Sequence, residues 1–152
     1  AIKVQHRLDH QIIFGLPKTN YKYAKSIIFL TGINCFNSVS CVERGVSFNY
    51  NYHPDDIFFQ GEYNLLRFTV PAQANFFISR LEFPNVVHIK GDLANKLPHH
   101  SLIALGETKD GKDLVIWEKR NKHLPYRVTT LSKVFDGYPN CFWAVRPFQT
   151  PR

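Results

Sequence analysis

From residue 85 onward this chain reads as short apolar runs of strand length, each bounded by a turn signal. No other feature limits its fold as much. Val86–Lys90 leads into Gly91-Asp92, and the runs His100–Gly106 and Leu114–Lys119 flank Asp110-Gly111, the strongest hairpin dipeptide in the sequence. Tyr126–Thr129 is a further run, Leu131–Gly137 a short helical turn, and Cys141–Arg146 a last strand. Neighbouring runs joined by tight turns make an antiparallel meander, since parallel strands need long crossovers between them.

The preceding half is helical where it is periodic. Asn34–Glu43 predicts a helix capped by Asn34 or Thr31, with Phe36, Val39, Ser40 and Glu43 at helical spacing and Gly45 as its stop. Residues 73–82 predict a second, with Phe77, Ile78 and Leu81 on one stripe. Residues 46–62, rich in Asn, Asp and Pro, read as loop. Helices followed by a meander give an α+β class. No repeat or Gly/Ser linker interrupts the chain, so residues 1–152 are expected to form one domain, with residues 1–30 an N-terminal extension whose role the sequence leaves open.

At 44% hydrophobic and 20% charged, the 152 residues fall in the globular range, which excludes disordered and collagen-like chains. No apolar run approaches the roughly 18–20 residues of a membrane span; Ser26–Gly32 is the most concentrated. The net charge of +7 suggests an anionic partner, such as a polyanionic cell envelope. The basic residues are scattered, however, with Glu118–His123 the densest run, so no nucleic-acid partner is expected. A chain with no methionine that starts Ala1-Ile2-Lys3 is expected to be a processed, secreted or periplasmic form.

Three cysteines are too few for a disulfide scaffold. Cys41 follows Cys35 by six residues, on another helix face, which argues against their pairing; a Cys41–Cys141 bridge is left open. Cys35 is the one placed for chemistry, because it opens the first helix. There the positive end of the helix dipole and unpaired N–H groups favour thiolate, and the same N–H groups can hold a developing oxyanion. A thiolate nucleophile needs a base brought near in space. Among seven histidines, His99 and His100 open a strand, and only one of two adjacent strand residues can face Cys35. His6 and His10 stand at i, i+4 with no third ligand beside them, so neither a metal nor another cofactor is expected.

Asn34-Cys35 opening a helix, Gly91-Asp92 ending a strand, His100-Ser101-Leu102-Ile103-Ala104-Leu105-Gly106, and the apolar run Leu114–Lys119 follow one another in an order that resembles the papain-like cysteine hydrolases of the NlpC type. The similarity spans about residues 31–147. It implies a helix carrying the cysteine packed on a small antiparallel sheet, with Cys35 as nucleophile, His100 as general base and Asp92 closing the turn before the histidine strand. A polar third residue then orients the imidazole. A simple register about Asp110-Gly111 sets Asn121 opposite His100, and a one-residue bulge or longer loop brings Lys119 or Glu118 nearer. The family pattern favours Glu118, with Asn121 second. Leu102 and Asn34-Cys35-Phe36-Asn37 depart from the family's usual residues, which bears on substrate class more than on mechanism.

The expected activity is therefore cleavage of an amide bond through an acyl-enzyme, with a peptide or peptidoglycan fragment as substrate. Asn34, Tyr50 and Tyr52 are candidate substrate-binding residues, the two tyrosines from an aromatic loop at Phe48–Tyr52. Two alternatives stand beside it. One is a hydrolase of lipid esters or protein side-chain amides on the same scaffold; the other is a non-catalytic basic binding module.

Overall fold

The computed structural model describes residues 35–44, 66–91, 100–121, 124 and 126–148. They form helix α1 (Cys35–Arg44), strand β1 (Leu66–Arg67), helix α2 (Pro71–Ile78), strands β2 (Asn85–Lys90), β3 (His100–Glu107), β4 (Leu114–Lys119) and β5 (Tyr126–Thr130), helix α3 (Leu131–Asp136) and strand β6 (Phe142–Pro147). The strands make one antiparallel sheet in the order β1-β6-β2-β3-β4-β5. The protein is thus α+β with a small antiparallel sheet, as the order of helical and strand patterns predicts.

The meander follows its turn chemistry. Between β3 and β4 the Thr108 N–H donates to Asp113 O at 3.0 Å, and Asp110 Oδ1 accepts from the Thr108 hydroxyl and the Lys112 N–H. Gly111 takes φ +69°, a conformation that costs an L side chain energy and glycine nothing. The register then shifts once. Glu107 pairs with Leu114 and Gly106 with Val115, but Ala104 pairs with Ile116 and Ile103 with Trp117, leaving Leu105 as a bulge. One extra residue in β3 turns every earlier side chain of that strand to the other face relative to β4.

The second helix begins earlier than its apolar stripe suggests. Pro71 occupies its first turn, where a missing N–H is harmless, and Gln73 Oε1 reaches back to the Thr69 N–H at 2.9 Å and to its hydroxyl. Beyond Ile78 the chain tightens into i→i−3 bonds, Arg80 N–H to Phe77 O and Leu81 N–H to Ile78 O. That turn carries the apparent periodicity on to residue 81.

The two faces of the sheet have separate work. On one, Val87 and Ile89 of β2, Leu102 and Ala104 of β3, and Leu114 and Ile116 of β4 pack with Ala74 and Ile78 of α2 and Leu131 and Val134 of α3 to form the main core. On the other, His88 stands opposite Ser101, and Arg146, opposite Val86 and diagonal to His88, joins them beneath α1, which packs on β3 and β4 with Val39 and Val42 fully buried.

Candidate functional site

Cys35 is the first residue of α1 and His100 the first residue of β3, and the two side chains meet. The bulge at Leu105 decides what stands on the ring's other side. Carried one residue past the Ile103↔Trp117 pair, the bulged register puts Glu118 on the face of His100, where the unbulged register would have put Lys119 and Asn121. His100 Nε2 donates to Glu118 Oε2 at 2.5 Å, and both residues are buried. With Nε2 taken by Glu118, the buried Nδ1, which has no other hydrogen-bond partner, is the ring atom available to Cys35.

The next strand completes the arrangement. Arg127 of β5 is the cross-strand partner of Glu118, and its Nε donates to Glu118 Oε1 at 2.6 Å. One carboxylate therefore binds the imidazole with one oxygen and a guanidinium with the other. Tyr138, just after α3, lies parallel to the His100 ring with centroids 5.2 Å apart and planes 7° off parallel.

The electrostatics follow from these contacts. Burial alone would push the His100 pKa down, because it penalises imidazolium. The hydrogen bonds to Cys35 and Glu118, together with their charges, overcome that penalty and bring it to about 9. Burial works against Glu118 in the same way. The hydrogen bond and charge of His100, then the charge and hydrogen bond of Arg127, reverse it and hold the carboxyl below its ordinary range. Burial, followed by the charges of Glu118, Cys35 and Cys141, pushes the Tyr138 phenol up to about 12, so it stays neutral and able to donate. A thiol, an imidazole that can take or give a proton, and a carboxylate holding the far ring nitrogen are the parts that acyl transfer by a cysteine needs.

His88 and the other candidate residues have different places. His88 is buried on the sheet's second face, where Arg146 Nε donates to its Nε2 at 3.2 Å, so its Nδ1–H faces Ser101 Oγ at 2.8 Å. Burial, then the charge of Arg146, lowers its pKa well below the usual value, and the ring is neutral. Cys141 carries a thiol directed at Pro139 O, pushed up by burial, and does not form the bridge to Cys41 that the sequence left open. Lys119 Nζ donates to the backbone oxygen of Asn121 at 2.7 Å. Asn34, Tyr50, Tyr52, Asp92 and His99, together with His6 and His10, lie outside the described residues, as does the side chain of Cys41.

Arg127 and Tyr138 did not emerge from the sequence. Arg127 had a usable signal, an opposite charge on the strand after Glu118, but reading it requires the register across residues 120–125. Tyr138 follows a one-and-a-half-turn helix, and nothing local tells which way it faces. No protein family, curated protein or solved structure matches this chain.

Proposed function

We propose that this protein is a papain-like cysteine hydrolase of the NlpC type that cleaves an amide bond in a cell-wall peptide. The observation that carries the reading is the Cys35–His100–Glu118 constellation, with the thiol at a helix N-terminus and the histidine held by a buried carboxylate. In the proposed reaction Cys35 Sγ adds to the carbonyl carbon, and the Cys35 N–H and a neighbouring donor hold the oxyanion. The tetrahedral species collapses as His100 gives its proton to the leaving nitrogen, leaving a thioester on Cys35. Water, deprotonated by His100, then attacks the thioester and releases the acid, restoring the thiol. Glu118 keeps the imidazole oriented throughout, and Tyr50 and Tyr52 contact the substrate. The net charge of +7 supports a substrate embedded in a polyanionic envelope.

Alkylation by iodoacetamide as a function of pH tests the reading, with Cys35 and Cys141 followed separately by peptide mapping. Cys35 is expected to react selectively and rapidly below pH 7, and His100→Ala to slow it. Turnover of purified muropeptides, lost in Cys35→Ala, then tests the substrate class. Labelling of Cys35 no faster than that of Cys141, and unaffected by His100→Ala, would sink the hydrolase assignment and leave a binding module. Selective labelling with activity only on acyl esters or glutamine side chains would keep the chemistry and overturn the substrate.

A further inference from the structure

Strand β1, three strands along the sheet from β3, and helix α2 form the two walls of an open groove of about 590 Å³. β1 is an edge strand, pairing with β6 on one side through Leu66↔Trp143 and Arg67↔Phe142, with no described strand on its other side. Leu66 and Phe68 line the strand wall, and Phe76 and Phe77 the helix wall. Phe68 and Phe77 pack on each other with ring centroids 5.5 Å apart, which fixes the apolar floor. Phe76 is 74% exposed, Val70 48% and Leu66 41%, and these are the large hydrophobic side chains most open to water among the described residues. The lining also holds two arginines, Arg67 from the strand and Arg80 beyond the helix. Arg67 lies over the ring of Phe142, and neither arginine is in an ion pair with a described carboxylate.

The exposed aromatic rings and a strand edge with no described partner leave surface for a partner to cover, and the two exposed guanidinium groups select that partner's charge. One occupant meets all three. An extended chain laid along β1 would satisfy the edge backbone, set alternate side chains into the apolar groove, and bring carboxylates to Arg67 and Arg80. We propose that this groove binds an extended acidic peptide by strand addition to β1, with apolar side chains against Phe76 and Phe77 and carboxylates on the two arginines. β6 and β2 lie between β1 and β3, so the groove stands about 14 Å from the histidine strand at ordinary strand spacing. It is a docking site distinct from the Cys35 site, and it does not depend on the hydrolase reading.

Fluorescence anisotropy with Cys35→Ala protein, which cannot turn the probe over through that thiol, tests the proposal. The probe is a fluorescein-labelled nonapeptide of alternating leucine and glutamate, compared with its lysine-for-glutamate counterpart and with a version N-methylated at alternate residues. The glutamate peptide is expected to bind at least about tenfold more tightly than either. Phe76→Ser and Arg80→Glu should each weaken it by about tenfold or more, and Arg80→Glu should narrow the preference over the lysine peptide. Both side chains are exposed, so thermal unfolding of these variants should match the parent and separates lost binding from lost folding. Equal binding of the acidic and basic peptides, or indifference to both substitutions, overturns the proposal. Binding insensitive to N-methylation overturns strand addition. Association with phosphatidylserine vesicles in the absence of peptide binding reassigns the surface to lipid.

Discussion

Glu118 has two oxygens and two partners, and that division controls the ionisation of His100. Oε2 accepts from the imidazole and Oε1 from Arg127, so the carboxylate is fixed from both sides in a buried setting. Glu118→Gln keeps the shape and removes the charge. Burial then opposes imidazolium with only Cys35 to counter it, and the pKa of His100 is expected to fall from about 9. An NMR titration of the ring measures this directly, and an unchanged value would show that Cys35 alone holds the proton. Arg127→Ala is expected to move the ring the opposite way, because the whole carboxylate charge then bears on His100. Cys35 and His100 were legible in the sequence because a helix start and a strand start are local events. Glu118 was harder to read, because its face depends on the bulge at Leu105; the neighbouring Gly106, a glycine inside a strand pattern, was the available sign of that bulge.

A nucleophile on one element and a base on another need the two elements held in fixed relation. The described contacts show how α1 is held. Both terminal nitrogens of Arg146 in β6 bind the carboxylate of Glu43, at 2.6 and 2.5 Å, two helical turns along from Cys35. Arg146 also donates to His88, which meets Ser101, the residue next to His100. The chain from helix to histidine strand is thus continuous and buried. Removing one partner strands a charge in the interior: Glu43→Ala is expected to lower unfolding stability by about 3–5 kcal/mol, read from urea denaturation. The double change Glu43→Leu with Arg146→Met should recover much of that loss, since apolar replacement of both partners leaves no charge stranded. A single-mutant effect under about 1 kcal/mol would mean that α1 is held mainly by Val39 and Val42. The limits of α1, α3 and strands β2 to β6 were readable to within a residue from periodicity and turn residues, whereas α2 runs from Pro71 to Ile78 and not over 73–82, and β1 gave no signal. The clamp was not, because Glu43 and Arg146 lie 103 positions apart and nothing local to Glu43, though it falls on the helix's periodic stripe, names its partner.

Across the whole molecule, the two described histidines pull stability in opposite directions with pH. An unfolded histidine titrates near 6.5. Folded His100 titrates at about 9, so between these values the native state keeps a proton that the unfolded chain has released. Its contribution is complete below pH 6.5 and is lost as pH rises through 9. Folded His88 refuses a proton that the unfolded chain accepts, so its contribution is complete above about 6.5 and declines as pH falls. Glu118, with its pKa lowered in the native state, adds to the acid-side loss at lower pH still. The contributions of His100 and His88 to the melting temperature are therefore jointly largest near pH 6.5 and fall on both sides. His100→Asn should flatten the alkaline limb and His88→Asn the acid limb, whatever each does to the height of the curve. An unchanged slope between pH 7 and 9 in His100→Asn would contradict the proton count assigned to His100. If the proposed hydrolysis also occurs, the proton lost on the alkaline limb is the one His100 gives to the leaving nitrogen. Stability and turnover should then break at the same pH, and Glu118→Gln should move both breaks downward together. If only the stability break moves, the imidazole serves the fold and not the reaction.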